Sequence, residues 1–205
     1  MAATLNSPSG LAIDQNENLF ICTGARIRRV SPSGIITTVA GTSWADTVHR
    51  YQGDGLAAID ANILPTTLVI DKFGNLYFID QNSEHYSDVR KIGPEGRITT
   101  IAVPNPPFYS MAVDSSGNLY VGGFSSVQKI DRSGNVTLFA GSIASGYGGD
   151  GGPAITATLN TIHGLAVDST GDVVIRLPPD ATDYCLSRRL SVRAISLRRI
   201  VAILP

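Results

Sequence analysis

Two short segments carry the residue types of a calcium-binding loop. Asp71–Asn75 and Asp114–Asn118 both have the pattern Asp-x-x-Gly-Asn. Calcium takes oxygen ligands, and an EF-hand loop supplies alternating acidic residues and a distal Glu, which both segments lack. A hairpin turn explains the same residues, because Asp accepts hydrogen bonds from nearby backbone N–H groups and Gly adopts positive φ. The pattern therefore favours turns, and we predict no metal site.

A second candidate is the glycine-rich loop Gly148–Pro153, which has a weaker twin at Gln52–Ala57. Neither loop is followed by Lys and Ser or Thr, so neither is a phosphate-binding loop. Two interpretations remain. The favoured one is a structural crossing in which Gly permits close approach of the backbone. The alternative is a ligand-binding surface, because long loops commonly carry binding residues.

The residues for nucleophilic catalysis are scattered. The chain has no Gly-x-Ser-x-Gly elbow, and its two cysteines, Cys22 and Cys185, share no repeat unit with a histidine. A lone histidine is usually not a ligand. We therefore predict no catalytic residue, no cofactor and no bound metal, and an enzyme is disfavoured.

Composition separates the chain into two parts. All 21 Gly lie in residues 1–175, and the charges there are 10 Lys+Arg and 15 Asp+Glu; residues 176–205 contain 6 Arg and 2 Asp. The whole chain has a net charge of −1, so it offers no general electrostatic attraction to nucleic acid. No apolar run is long enough for a membrane helix, and no signal peptide is visible at the N-terminus.

A fourfold internal repeat organises residues 1–175. Each copy has two apolar residues and Asp, a short polar turn, and then a second apolar run. In three copies an alternating apolar-polar segment, a four-residue turn and a last alternating segment follow, which predicts four short strands per unit. Units of this size are typical of β-propeller blades. The four copies begin at Ala12–Asp14, Val69–Asp71, Ala112–Asp114 and Ala166–Asp168.

These units resemble NHL repeats. The resemblance lies in Pro8–Asp14, Asn18–Ile21 and Arg26–Val30, and the run Gly149–Ala154 is similar to inter-blade loops of bacterial NHL proteins and of the teneurin propeller. It implies an all-β propeller of four-stranded blades, and an extracellular or cell-envelope location. NHL repeats usually end their second strand in Asp, which only Asp80 retains here; the matching positions hold Thr23, Gly123 and Arg176.

The predicted blades do not complete a ring. NHL propellers usually have six blades, whereas this chain supplies about three and a half. The blades are approximately 5–41, 65–103, 107–141 and a partial one at 159–175, within a propeller region of 1–175. Open blades would expose apolar faces and unpaired edges. We therefore expect either a fragment of a longer propeller or self-association.

Residues 176–205 form a divergent basic tail. The favoured interpretation is a divergent or out-of-frame terminus that no longer encodes a blade. The alternative is a basic amphipathic helix near 187–204 that binds a membrane or RNA.

The resemblance also places a candidate ligand face. In a propeller, the loops between the second and third strands share one side with the loops between blades. Aromatic and acidic residues there suit recognition of a protein, peptide or carbohydrate, and this non-catalytic binding or scaffold role is the leading hypothesis. The runner-up is a fragment of a metal-dependent propeller lyase or lactone hydrolase. The predicted face contains Trp44, Tyr51, Asp54, Tyr86, Tyr109, Tyr147, Asp150 and His163.

The open-blade expectation predicts the behaviour of the chain in solution. We expect the purified chain to run larger than its 21.6 kDa monomer, since uncovered blade faces associate. Light scattering coupled to size exclusion measures this mass. A monomer of 21.6 kDa with one cooperative thermal transition would contradict the expectation.

Overall fold

The computed structural model describes residues 4–42, 53–81, 87–101 and 107–178, together with the backbone of two further strands at 186–190 and 198–200. The chain divides into two compact units, Met1–Pro107 and Phe108–Pro205. Each unit contains two four-stranded antiparallel sheets in which consecutive strands are neighbours. The predicted four-stranded units are thereby confirmed. Among the described residues, no helix has the length and apolarity required to cross a membrane.

The first unit contains eight strands. Its first sheet consists of β1 (Pro8–Ile13), β2 (Leu19–Thr23), β3 (Arg26–Val30) and β4 (Ile36–Ala40). Its second sheet consists of β5 (Pro65–Ile70), β6 (Leu76–Asp80), β7 (Asp88–Ile92) and β8 (Ile98–Ile101). A short 3₁₀ helix at Ala58–Asp60 precedes β5.

The second unit repeats this plan. Its first sheet consists of β9 (Ser110–Val113), β10 (Leu119–Gly122), β11 (Ser126–Ile130) and β12 (Val136–Gly141). Its second sheet consists of β13 (Gly164–Val167), β14 (Val173–Leu177), β15 (Leu186–Leu190) and β16 (Arg198–Ile200). The 3₁₀ helix at Ala154–Thr156 takes the place that Ala58–Asp60 has in the first unit.

The last two strands correct the interpretation of the basic tail. We raised an amphipathic helix near 187–204, but the described backbone there is extended, and β15 pairs with β14 from Leu186 opposite Leu177 to Leu190 opposite Val173. The fourth sheet therefore has four strands instead of two. A hairpin from the same chain supplies the hydrogen bonds that the edge of β14 requires. The proposed domain boundary at residue 175 stays a prediction.

Apolar packing between sheets forms the core of the first unit. Phe20, Leu68 and Phe78 belong to one buried cluster that draws on both sheets. A Cβ on Gly10 would lie 2.8 Å from the carbonyl oxygen of Thr66, so β1 and β5 approach too closely for any side chain there. Cys22 is buried in the same cluster, and burial raises the pKa of its thiol to about 12.

One face of the first sheet has no such cover. Leu11 of β1 is 64% exposed and Ile13 is 65% exposed, whereas Leu68, at the position of β5 that corresponds to Leu11, is 3% exposed. The difference arises because β5 packs against β1, while no described residue packs in the same way on the outer face of β1. Exposed apolar residues of this size typically mark an interaction surface.

The Asp-x-x-Gly-Asn segments are hairpin turns, as predicted. Asp71 Oδ1 accepts hydrogen bonds from the N–H groups of Phe73 and Asn75, both at 2.9 Å, and Oδ2 accepts one from Asn75 Nδ2 at 2.7 Å. Gly74 has a φ of +82°, which an L-residue rarely adopts. The same arrangement recurs at Asp114 and, in the turn between β11 and β12, at Asp131.

Local hydrogen bonds lower the pKa of two turn carboxylates, Asp131 and Asp14. The side chain and backbone N–H of Asn135 donate to Asp131 and hold its pKa below the usual value. At Asp14, burial raises the pKa, but hydrogen bonds from Asn18 and Asn16 and the charge of Arg29 outweigh it and leave the pKa lowered. A lowered folded-state pKa stabilises the fold at neutral pH, and this contribution is lost as the pH falls through that pKa.

The burial of a turn predicts how much its carboxylate contributes. We expect Asp71→Ala to lower the free energy of unfolding by about 2 kcal/mol, because the N–H groups of Phe73 and Asn75 and the buried hydroxyl of Tyr77 lose their acceptor. Asp71 is 7% exposed, whereas Asp131 makes the same three hydrogen bonds at an exposed turn, so Asp131→Ala is the matched control and should cost less. Urea unfolding measures both losses. Equal losses in the two variants would contradict this account.

Candidate functional site

The glycine-rich loop of the first unit lies along the outer edge of the second sheet. Gly55 N–H donates to the Ile98 carbonyl at 2.8 Å, and Ile98 N–H donates to the Leu56 carbonyl at 3.1 Å. Ala58 N–H donates to the Gly96 carbonyl at 2.7 Å. The segment thus pairs antiparallel with β8 and covers hydrogen-bonding groups that an edge strand would otherwise expose.

The carboxylate of Asp54 is anchored to the same edge. Its Oδ2 accepts the Thr100 N–H at 3.0 Å, and its Oδ1 accepts the Thr100 hydroxyl at 3.0 Å. Arg90 Nη2 also donates to Oδ1, at 2.9 Å. The structure therefore gives Asp54, one of the predicted ligand-face residues, a bonding role within the protein.

Arg90 joins the Asp54 carboxylate to a second one. Its Nη1 donates to Asp80 Oδ2 at 3.1 Å, and Asp80 Oδ1 accepts the Leu64 N–H at 2.8 Å. Arg90 is 4% exposed and Asp80 is 1% exposed. A buried guanidinium must be paired, since an uncompensated charge in the interior is strongly destabilising. The two carboxylates provide that pairing.

The first sheet has a different arrangement at the corresponding positions. Arg28 stands opposite Ile21 and Thr38 in the strand register, as Arg90 stands opposite Phe78 and Thr100. Thr23 takes the place of Asp80, and its hydroxyl accepts the Asn6 N–H at 3.0 Å. Thr23 therefore performs the backbone contact of Asp80 but brings no charge. No carboxylate of the described chain lies within ion-pair distance of Arg28.

A polar cavity of about 180 Å³ opens beside Arg28, at the ends of β2 and β3. Arg26 Nε donates to the Thr42 carbonyl at 3.3 Å and Arg28 Nε donates to the Thr37 carbonyl at 3.4 Å, which orients both guanidinium groups. Two guanidinium groups among hydroxyl and amide groups suit a carboxylate or another planar anion. The polar wall of the cavity is formed by Thr4, Asn6, Thr23, Arg26, Arg28 and Thr42.

This cavity is the feature that the sequence argument missed. It lies beside the turn between the second and third strands, which belongs to the loops assigned to the ligand face. The available signal was Thr23, which stands where the repeat expects Asp, together with Arg26 and Arg28, two of the three arginines that follow it. Loss of a carboxylate next to a retained arginine leaves the guanidinium without that counter-charge.

The other members of the predicted ligand face are divided. Trp44, Tyr51 and Tyr86 lie outside the described residues. In the second unit, Tyr109 is 41% exposed, and Asp150 and His163 are exposed. Tyr147 is half-buried, and its hydroxyl accepts a hydrogen bond from Asn160 Nδ2 at 2.9 Å. Within the described ranges, no three His, Cys, Asp or Glu side chains group together as metal ligands.

The Asp54 contacts predict a stability effect. We expect Asp54→Ala to lower the free energy of unfolding by about 2 kcal/mol, because Thr100 loses two hydrogen bonds and buried Arg90 loses one of its two carboxylates. Asp60→Ala, an exposed carboxylate of the same loop, is the control and should change little. Thermal and urea unfolding measure both variants. If Asp54→Ala is as stable as Asp60→Ala, the proposed structural role of Asp54 is wrong.

Comparison with known proteins agrees with this architecture. No protein-family model matches the chain. Teneurin-4 of Mus musculus is 28% identical over 212 residues, which cover 84% of this chain and 8% of that protein. The chain thus spans less than a tenth of the length of the curated relatives that it matches.

Solved structures give the fold. A gluconolactonase from Xanthomonas campestris matches with a TM-score of 0.62 and 16% identity, over 94% of this chain and 61% of that chain. Virginiamycin B lyase from Staphylococcus aureus matches with a TM-score of 0.62 and 14% identity, over 97% of this chain and 56% of that one. At these identities the likeness concerns the fold alone. The chain is a fragment of a β-propeller, and its four-stranded sheets are the blades.

Proposed function

We propose that this chain is a non-catalytic binding module of an NHL-repeat propeller that holds an acidic group of a protein or peptide on its loop face. The observation that supports this proposal is the polar cavity between Arg26 and Arg28. The NHL assignment is supported by the fourfold repeat and by the similarity to teneurins.

The choice of an acidic ligand follows from the chemistry of the cavity wall. Arg26 and Arg28 each use Nε on a backbone carbonyl, so their terminal nitrogens are oriented by contacts within the protein. A guanidinium presents its donors in a planar fork that matches a carboxylate. Charge-assisted hydrogen bonds of this kind are stronger than neutral ones, and an oriented fork loses less entropy when it binds.

The second blade contains an arginine that binds carboxylates in this way within the protein. There Arg90 holds the carboxylates of Asp54 and Asp80. The first blade keeps the arginine and replaces the second carboxylate by Thr23, which leaves the guanidinium of Arg28 beside an open cavity.

Binding of model anions tests this function. We expect penta-glutamate to bind the chain and penta-glutamine not to bind, with an affinity that falls between 50 mM and 500 mM salt as exposed charges are screened. Arg26→Ala should weaken binding about tenfold, since it removes one charge-assisted contact. Arg29→Ala, which removes an exposed arginine of the same strand, is the matched control and should have no effect.

Isothermal titration provides the affinities. Equal binding of penta-glutamine and penta-glutamate, or no heat with either at millimolar concentration, would refute the proposed function. Oligogalacturonate serves as a third probe. If it binds and penta-glutamate does not, the ligand is an acidic carbohydrate and the peptide assignment is wrong.

A further inference from the structure

The outer edges of the two sheets in the first unit differ. The outer edge of β8 is covered by residues 53–58, which pair with Gly96 and Ile98 and place Asp54 on Thr100. By register, Gly34, Ile36 and Thr38 are the corresponding residues at the outer edge of β4. In the part of the chain that the structure describes, no segment pairs with that edge.

The bare edge presents the threonine and the arginine of the covered one, but Ile35 stands at the position from which Arg97 donates to the Gly55 carbonyl on the covered edge. Thr38 stands opposite Arg28 just as Thr100 stands opposite Arg90. Both residues of the first sheet are half-buried. Ile98, Thr100 and Arg90, which contact the segment 53–58 in the second sheet, therefore have the counterparts Ile36, Thr38 and Arg28 in the first. A segment that carries an aspartate is absent from the described residues there.

The remaining sheets show that the arginine accompanies the Gly-Asp-Gly sequence. Asp150 lies in such a sequence before the fourth sheet, and Arg188 occupies the matching register position opposite Ile175. The third sheet is preceded by Ala102–Pro107, which contains no Gly-Asp-Gly, and its matching residue is Gln128. An arginine at the same position of the first sheet is thus the partner that such a segment requires.

We propose that the outer edge of β4, with Arg28 and Thr38, binds an extended peptide segment that carries an aspartate between two glycines. The segment pairs antiparallel with β4 at Ile36, and its carboxylate accepts hydrogen bonds from the Arg28 guanidinium and from the N–H and hydroxyl of Thr38. Strand addition of this kind supplies affinity through the main chain, and the aspartate supplies specificity. The inference rests on the proposed function, because it names the acidic group that the first blade holds.

The experiment uses the full chain and a synthetic peptide with the sequence Gln-Gly-Asp-Gly-Leu-Ala-Ala-Ile, a copy of residues 52–59. The matched control peptide has Asn in place of Asp. Backbone amide exchange followed by NMR reports on the β4 edge. We expect saturating Asp peptide to slow exchange of the Ile36 and Thr38 amides at least tenfold, and the Asn peptide to bind about tenfold more weakly.

Two variants test the assigned side chain. The third sheet has Gln128 at the position that corresponds to Arg28, so Arg28→Gln should leave the fold of the first sheet intact. The affinity of this variant for the Asp peptide should fall about tenfold. Arg29→Ala should leave the affinity unchanged. If Arg28→Gln unfolds, the comparison of Asp and Asn peptides on the unaltered chain decides the question.

Each outcome separates this inference from the proposed function. No protection of the Ile36 and Thr38 amides at 5-fold to 10-fold molar excess and millimolar concentration (about the effective concentration of a linked segment) overturns the inference. Equal protection by the Asp and Asn peptides also overturns it. Penta-glutamate binding that depends on Arg26, without protection of β4, would retain the proposed function and reject this strand-addition site. Protection of the β4 amides, with penta-glutamate binding that Arg26→Ala does not change, would retain the strand-addition site and reject the cavity as the binding site.

Discussion

The outer edge of a four-stranded sheet must find hydrogen-bond partners, and this constraint explains much of the first unit. The inner strand β5 packs against β1 of the preceding sheet, but the last strand β8 has no fifth strand beside it. Residues 53–58 take that place. Gly53 and Gly55 have φ values of +140° and +80°, which L-residues rarely adopt, and Asp54 attaches the segment to Thr100 and Arg90. The glycine-rich loop is therefore part of the sheet that follows it.

The covering of the sheet edge also affects the burial of the arginine beside it. Arg90 is buried beneath the segment, and its charge is paired because Asp54 and Asp80 both contact its guanidinium. The first sheet differs in both the covering segment and the inner carboxylate. Thr23 replaces the inner carboxylate, no covering segment is described, and Arg28 is half-buried beside a cavity. One structural position thus holds an internal ion pair in the second blade and a guanidinium beside a cavity in the first.

Short-range patterns made most of the fold predictable. The strands follow from alternation, and the turns follow from Asp accepting its own backbone amides within four residues. The Asp54–Arg90 pair was not predictable in this way, since 36 residues separate its members and neither has a local partner pattern. β15 and β16 were missed because residues 176–205 contain no Gly and therefore lack the turn sequences that separate the strands of the other sheets. The interpretation of the glycine-rich loop as a structural crossing was the better of the two alternatives for Asp54.

The position of the covering segment in the chain has a consequence for synthesis. A ribosome produces residues 53–58 before it produces β8 at Ile98–Ile101, so the edge of the second sheet emerges when its cover already exists. Exposed strand edges are the sites at which nascent chains pair with one another. Because the cover precedes the strand, the interval in which β8 could pair with a neighbouring nascent chain is short. The order of segments along the polypeptide therefore protects the second sheet from aggregation while it is being made.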